Sequence, residues 1–220
     1  LQDVRTWLMN TATDPACELN FSKIQIPYSF KKNMVAETKL GIQMTLCIVY
    51  FSAEGHTKAM AEAIAQAGSG KLYDVTKLSP TDWQDLDQAS AIVMGAPTYM
   101  GGLPSPFVAF IEHAATRWDT GQWRDKLAGG FSSAMHPAGD KLNALMSLFV
   151  FASQMGMVWI GAAETGAPVV SGNEGINRDG FWVGVTATMS HVEGELLSAG
   201  DLETARRYGL RMRAAIERWG

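Results

Sequence analysis

Short apolar runs alternate with amphipathic segments from residue 45 onward, and this alternation restricts the possible folds more than any other feature of the sequence. The runs have the length of strands, and the segments between them carry apolar residues at the three- and four-residue spacing of helices. The predicted strands span residues 45–51, 71–75, 91–97, 127–133 and 157–163. Parallel neighbours must be joined by a helical crossover. The chain is therefore predicted to be an α/β protein with a five-stranded parallel sheet between helical layers.

The predicted helices have recognisable ends and apolar faces. Ser79 and Asp82 provide capping groups after the second strand. A helix over residues 141–155 is expected to bury a stripe of four residues, Leu142, Leu145, Met146 and Phe149. A last helix follows the capping residues at 198–201, and its opposite face carries five arginines. The apolar face of this last helix contains Leu202, Ala205, Gly209, Met212, Ile216 and Trp219.

The composition argues against several classes of protein. With 47% apolar residues among 220, the chain can bury a substantial core. A net charge of -4 and the lack of Lys and Arg clusters argue against nucleic acid as a partner. No apolar run approaches the roughly 20 residues that cross a bilayer, and the N-terminus lacks signal-peptide features, so we expect a cytoplasmic protein. Cys17 and Cys47 lack metal-ligand spacing, and neither a metal site nor a disulfide is expected.

Residues 1–43 differ from the rest of the chain. They show no sustained period and are interrupted by Pro15 and Pro27. We expect an N-terminal extension over residues 1–43 and one ligand-binding domain over residues 44–220. Met44 could be the natural start, with the preceding residues derived from expression or from an upstream start, whereas the apolar residues 7–9 could instead dock on the domain.

The segment between the first strand and its helix has the chemistry of a phosphate site. Residues 52–57 place the hydroxyls of Ser52 and Thr57 at their two ends and Gly55 between them. The helix N-terminus that follows supplies free amide groups and the positive end of a dipole. A loop that binds a nucleoside triphosphate would need Gly-Lys-Ser/Thr, and a dinucleotide-binding loop would need three glycines. Neither pattern is present. The alternative is that Ser52 and Thr57 only cap the helix.

Two further loops follow the third and fourth predicted strands at the same sheet edge, where open parallel sheets bind ligands. Residues 96–102 could line a flat polar heterocycle with amide groups, a hydroxyl and the ring of Tyr99, or could form a tight turn whose glycines adopt positive φ angles. Residues 132–139 combine hydroxyls with His136 and Gly139. Three polar, glycine-bearing loops on one edge predict a single binding site.

The order and spacing of these segments resemble the flavodoxin-like NAD(P)H:quinone oxidoreductases of the WrbA type over residues 44–220. The matching segments are residues 48–52 with Gly55 and His56, residues 95–98, residues 126–129 with Ser132 and Ser133, residues 156–158 with 160–161, and the closing amphipathic helix. The resemblance implies a flavodoxin-like three-layer sandwich with strand order 2-1-3-4-5 and flavin mononucleotide (FMN) as cofactor.

The resemblance also implies roles for individual residues. The first loop would bind the FMN phosphate, residues 98–100 would border the flavin ring, and the segment 132–139 would close its other side. The cofactor-binding residues implied in this way are Ser52, Ala53, Glu54, Gly55, His56, Thr57, Pro97, Thr98, Tyr99, Met100, Gly101, Ser132, Ser133, Ala134, Met135 and Gly139. Trp118 resembles a family tryptophan that lines the nicotinamide or quinone pocket. Electrons would pass from NADPH or NADH to the flavin and then to a quinone.

Few side chains need to be catalytic, because the cofactor performs the redox chemistry. His136 is the candidate for protonating a reduced quinone, since an imidazole can donate a proton near neutral pH. The alternative is a solvated or backbone-bonded loop histidine. By resemblance, the protein would form homodimers or homotetramers. Trp118, Trp123 and Trp182 would either contact a second subunit or lie partly buried in their own.

Several residues depart from the family pattern. Glu54 and Met100 stand where aromatic residues are usual, and an acidic residue at position 54 disfavours a pyrophosphate. Gln154 and Met155 replace a pair of histidines. The long loop over residues 164–189 also departs, although Trp182 and residues 184–186 could still cover the flavin or a neighbouring subunit.

These departures leave two other functions open. The first is an electron-carrier flavodoxin that exchanges single electrons with protein partners, although such carriers tend to be more acidic than a net charge of -4. The second is a regulatory protein that has lost the cofactor, which the intact hydroxyls of the first loop argue against.

Overall fold

The predicted alternation of strands and helices is present in the computed structural model, which describes residues 44–219. The expected extension and Cys17 lie outside the described residues. The strands are β1 (Leu46–Tyr50), β2 (Lys71–Asp74), β3 (Ala91–Pro97), β4 (Leu127–Ala134), β5 (Val158–Trp159) and β6 (Val185–Thr188). The helices are α1 (His56–Gly68), α2 (Pro80–Gln88), α3 (Ser105–Ala114), α4 (Lys141–Gln154) and α5 (Ala199–Trp219).

The sheet is parallel and its strand order is β2-β1-β3-β4-β5, which confirms the predicted flavodoxin-like order. β3 pairs with β4 along its whole length, from Ala91 opposite Leu127 to Pro97 opposite Ser133. Because β1 and β3 are also parallel neighbours, the carboxyl ends of β1, β3 and β4 lie at one edge of the sheet.

The fifth position of the sheet is divided between two strands. β5 pairs only with Leu127 and Ala128, whereas β6 pairs with residues 131–134 of the same strand, β4. The predicted strand over residues 157–163 was therefore wrong beyond Trp159, and Val185 and Thr186, expected in a covering loop, belong to the sheet. The chain leaves the sheet because its next partners lie within the inserted segment, where Ala162 N donates to Trp182 O at 2.9 Å.

Alternate residues of each strand enter two different cores. Leu46 and Ile48 of β1 pack with residues of α1 and α5, whereas Cys47 and Val49 pack with residues of α2, α3 and α4. Both faces of the sheet are thus covered, as near-continuous apolar strands require. Cys47 is a buried free thiol, and burial raises its pKa to about 11.

The apolar stripe that the sequence predicted for α4 is only partly buried. Leu142 and Met146 are exposed, while Ala144, Leu145 and Leu148 are buried. The prediction failed because apolar residues occupy both sides of this helix, so helical spacing alone does not identify the buried side. Trp219, predicted on the apolar face of α5, is also exposed, and its indole donates to Asp125 O.

Two glycines allow α1 and α5 to pack closely. A Cβ on Gly209 of α5 would lie 2.3 Å from the carbonyl oxygen of Ile64, and one on Gly68 of α1 would lie 2.8 Å from the carbonyl oxygen of Gly209. Both neighbours are backbone atoms of regular helices and cannot rotate away. The α1–α5 layer therefore depends on the absence of a side chain at position 209.

We expect Gly209→Ala to lower the free energy of unfolding by up to about 2 kcal/mol, because overpacking against rigid backbone costs up to about 3 kcal/mol and the gain in helix propensity offsets about 1 kcal/mol. Urea unfolding followed by circular dichroism measures the change. Gly102→Ala is the matched control, since a Cβ there has no neighbour within 4 Å. Equal stability of the two variants would contradict the packing argument.

Candidate functional site

A cleft of about 170 Å³ opens at the sheet edge where β1, β3 and β4 end. Strand order reverses at this point, because β1 connects outward to β2 on one side and β3 continues toward β4 on the other. All three loops that the sequence predicted to converge contribute to it. The cleft is lined by Ser52, Ala53, Glu54, His56, Thr57, Pro97, Thr98, Tyr99, Ser133, Ala134, Met135 and Met189.

The loop between β1 and α1 presents the start of the helix to the cleft. Gly55 is the N-cap residue with φ +99°, a left-handed conformation in which a side chain is strained. Its amide donates to Ser52 Oγ at 3.1 Å. Among the described residues, no side chain accepts a hydrogen bond from the first turn of α1, so Thr57 does not cap the helix and Ser52 contacts only the amide of the N-cap residue. The amide groups of the first turn are left for water or an anion.

Thr57 joins this helix to the end of β4. Its hydroxyl is buried and lies 2.7 Å from Ser133 Oγ, and either oxygen can be the donor. If Ser133 donates, the Thr57 hydroxyl is free to donate into the cleft, which both residues line. Thr57 is therefore able to contact an anion while its position is fixed from β4.

The rim of the cleft is more apolar than its base. Tyr99 is half exposed, and its ring packs edge-on against Phe51 with 6.3 Å between centroids. Met135 is also exposed on the opposite loop. Glu54 lies on this rim with an exposed carboxylate, 3.9 Å from His56 Nδ1. The arrangement places an uncapped helix N-terminus next to an apolar opening that carries one acidic group.

Some predicted site residues do not line the cleft. Ser132 is fully buried and its hydroxyl donates to Ala96 O, because alternate residues of β4 face opposite sides of the sheet. Met100 and Gly101 form the tip of a turn that is closed by Tyr99 and Gly102, and this tip projects outward. Three other predicted residues lie outside the lining: Gly55, His136 and Gly139. The Gly55 amide contacts Ser52 Oγ, and His136 is exposed in the loop after β4.

The structure does not bring Trp118 to the cleft. α3 starts at the cleft edge and carries the chain back across the sheet, so Trp118 lies near the opposite edge, beside Arg117, which is paired with Asp87 at the end of α2. Trp118 therefore does not line the cleft of its own chain, and its substrate-binding role stays a prediction. Trp123 is buried in its own subunit, whereas Trp118 and Trp182 are exposed.

Sequence reasoning missed Met189 as a lining residue. It follows β6 directly, and its amide donates to Ala134 O at 3.0 Å, which fixes it beside the end of β4. If Val185–Thr188 had been recognised as a strand, Met189 would have been placed at the same edge as the other three strand ends. The signal for this strand is the alternation of Val, Thr, Ala and Thr.

Sequence reasoning also missed a buried ionic cluster at the end of β6. Lys141, the first residue of α4, is fully buried, and its ammonium donates to Asp179, to Thr188 Oγ1 at 2.9 Å and to Ala187 O at 3.3 Å. Asp201 in the first turn of α5 accepts two hydrogen bonds from Arg178 and one from Thr188 N. The cluster thus ties the start of α4, the end of β6 and the start of α5 together.

Burial lowers the pKa of the Lys141 ammonium, and the hydrogen bond and charge of Asp179 oppose that effect. The two acidic and two basic groups of the cluster balance in charge, as buried ions require. Within residues 44–219, no group of three His, Cys, Asp or Glu side chains could hold a metal ion. The same part of the chain contains no helix that is long and apolar enough to cross a membrane.

An anion-binding helix end at the strand-order reversal of a 2-1-3-4-5 sheet defines a flavodoxin-like protein. The family model described as a flavodoxin domain matches residues 47–149. Flavodoxin FldP of Pseudomonas aeruginosa is 35% identical over 170 residues, which cover 75% of this chain and 92% of that protein. The chain therefore belongs to the flavodoxin family.

Two further relatives agree with the resemblance drawn from the sequence. The NAD(P)H dehydrogenase (quinone) of Paraburkholderia phymatum is 28% identical over 184 residues, covering 74% of this chain and 92% of that protein. A crystal structure of a flavodoxin, WrbA-like protein from Agrobacterium tumefaciens is 33% identical, with a TM-score of 0.66 over 80% of this chain and 99% of that one. The resemblance to WrbA-type proteins is confirmed, and it supports a redox role as a flavoprotein.

We expect Lys141→Met to lower the free energy of unfolding by about 3–5 kcal/mol, because the buried Asp179 carboxylate loses its partner. The double variant Lys141→Met with Asp179→Asn should recover a large part of that loss. Lys58→Met is the matched control, since Lys58 pairs with Glu62 only at the surface and should change stability little. Urea unfolding measures all three, and a single variant as stable as the control would refute the role given to the cluster.

Proposed function

We propose that this chain is an FMN-dependent oxidoreductase that takes electrons from NADPH or NADH and passes them to quinones. The observation that carries the proposal is the uncapped N-terminus of α1, which opens into the cleft beside the Thr57–Ser133 pair. When bound, FMN supplies the chemistry, because it can accept a hydride and release electrons singly or in pairs. The side chains of the protein bind and orient the reacting molecules.

The residues present fit this cofactor. The first turn of α1 offers amide groups to the phosphate, and Ser52 and Thr57 add hydroxyls at the same end of the cleft. The dianion needs no basic side chain here, because the helix end supplies donors and a favourable dipole. The apolar rim formed by Tyr99 and Met135 suits the flat flavin ring.

The choice of electron donor and acceptor follows from two features. The rim residues Tyr99 and Met135 are exposed apolar side chains that a second flat molecule could contact, and a relative named NAD(P)H dehydrogenase (quinone) covers 74% of this chain. His136 lies in the loop that follows β4, and its side chain is exposed. Its role as a proton donor to a reduced quinone stays a prediction.

The proposal includes the organisation of the chain. Residues 44–220 form the FMN-binding domain, residues 1–43 form an extension, and the protein is a homo-oligomer, either a dimer or a tetramer. Exposed Trp182 and Trp118 are compatible with contacts between subunits. The cytoplasmic location stays a prediction.

A second candidate is an electron-carrier flavodoxin that exchanges single electrons with partner proteins. Two observations favour it. The relative at 35% identity is named a flavodoxin, and the exposed Glu54 carboxylate lies on the cleft rim, where it would repel the pyrophosphate of a nicotinamide dinucleotide. The two candidates share the cofactor site and differ in the electron donor.

We expect Ser52→Ala combined with Thr57→Ala to weaken FMN binding by more than about tenfold, because two charge-assisted hydrogen bonds of roughly 1.5–3 kcal/mol are removed. Fluorescence titration of the apoprotein measures the affinity. Thr120→Ala is the control, since its hydroxyl bonds to Arg117 O away from the cleft. An unchanged affinity in a folded double variant would contradict the placement of the FMN phosphate at this helix end.

Anaerobic stopped-flow absorbance tests the reaction. FMN-loaded protein is mixed with NADPH or NADH and then with a benzoquinone, and we expect rapid bleaching of the oxidised flavin band by one nucleotide and its recovery with quinone. A flavin that resists both nucleotides but accepts electrons from a one-electron donor would replace the oxidoreductase with the carrier.

A further inference from the structure

The outer face of α4 has no exposed charged side chain. Lys141 is the one charged residue in the helix, and it is fully buried. By contrast, α1, α3 and α5 expose charged side chains such as Lys58, Glu112 and Arg206. A surface helix of a monomeric protein normally places charged residues on the face opposite the core. The composition of α4 is that of a helix with a partner on both sides.

Three apolar side chains form a ridge along this outer face. Leu142 is 50% exposed, Met146 38% and Val150 49%, and their spacing of four residues places them in one row. Among the described helices, α4 is the only one with three exposed large apolar residues in a row. Such a row is the surface that packs into the grooves of another helix.

The apolar surface continues past the end of the helix. Asn143 Nδ2 donates to Gly101 O at 2.7 Å, so the turn that carries Met100 lies on the first turn of α4. Met100 is fully exposed at the tip of this turn. A stable interface usually buries about 800 Å² on each partner, more than one helical ridge offers, and the Met100 turn supplies adjoining surface.

We propose that the outer face of α4, together with the Met100 turn, forms a two-fold interface with a second copy of this chain. This inference rests on the homo-oligomer proposed above and assigns its surface. In a two-fold interface, each residue near the axis meets its own copy, so a charge there would face a like charge. Each copy has a net charge of -4, so two copies approach without local repulsion only where no charge is present, and residues 141–154 expose none. The exposed Asp140 precedes the helix and lies beside Gly101 of the Met100 turn, so the uncharged surface begins after it.

The same feature argues against other occupants. An electron-transfer partner of different sequence would be guided by complementary charges, and this face offers none. A membrane surface would require Lys and Arg beside the apolar residues, and the exposed positions of α4 contain neither. Of these occupants, the uncharged and apolar face matches a second copy of itself.

The test uses charge pairs at Met146, the middle of the ridge. We expect Met146→Glu alone and Met146→Lys alone to have a smaller mass than the wild-type protein in sedimentation velocity, because each variant repels its own copy. An equimolar mixture of the two should regain the wild-type mass, which also demonstrates that both variants are folded. Leu210→Glu, at an exposed apolar position on α5, is the matched control and should keep the wild-type mass.

Two results would overturn the inference: a monomeric wild-type protein, or single variants that keep the wild-type mass. A monomeric wild-type protein would leave the face to a different partner. FMN content is measured on the same samples, so that loss of the interface is distinguished from failure of the proposed cofactor site. Flavin retained in the variants of reduced mass would show that the two surfaces are independent.

Discussion

The parallel pairing of β3 with β1 and β4 determines where every other part of this molecule can lie. It places three strand ends at one edge of the sheet, so the loops that follow these strands lie next to one another there. It also requires each connecting helix to return the chain to the far edge before the next strand begins. The cleft and the remote position of Trp118 are two results of that one geometry.

Much of the fold could be predicted because its signals are local. The apolar runs identified four of the strands, and the glycine and hydroxyl residues after them located the cleft. The fifth strand was only partly predicted, since its second half lies far along the chain and short β segments within an insertion carry a weak signal. The predicted burial of Leu142 and Met146 in α4 was wrong for a different reason. Apolar residues lie on both sides of this helix, so their spacing does not identify the side that faces the core.

The site was predictable in its position but less so in its details. Loop location followed from topology, whereas side-chain direction within β4 separated Ser133, which lines the cleft, from Ser132, which does not. No pattern in the sequence predicts the cluster around Lys141, because its members come from distant segments of the chain. The residues that flank each member resemble those of an ordinary protein surface. Helix position alone would have separated Trp118 from the cleft of its own chain, since a residue just after a crossover helix lies at the opposite edge of the sheet.

The division of the fifth sheet position between β5 and β6 has a consequence for folding. β6 can pair with β4 only after a long intervening segment has closed, and contacts of high sequence separation are slow to form. Leu127 of β4 pairs with Val158 of β5, whereas Phe131 pairs with Val185 of β6, so β6 closes the longer segment and we expect it to pair after β5. The wall that Met189 contributes would then be among the last parts to form. A newly made chain would possess most of its sheet before it possessed a complete cleft.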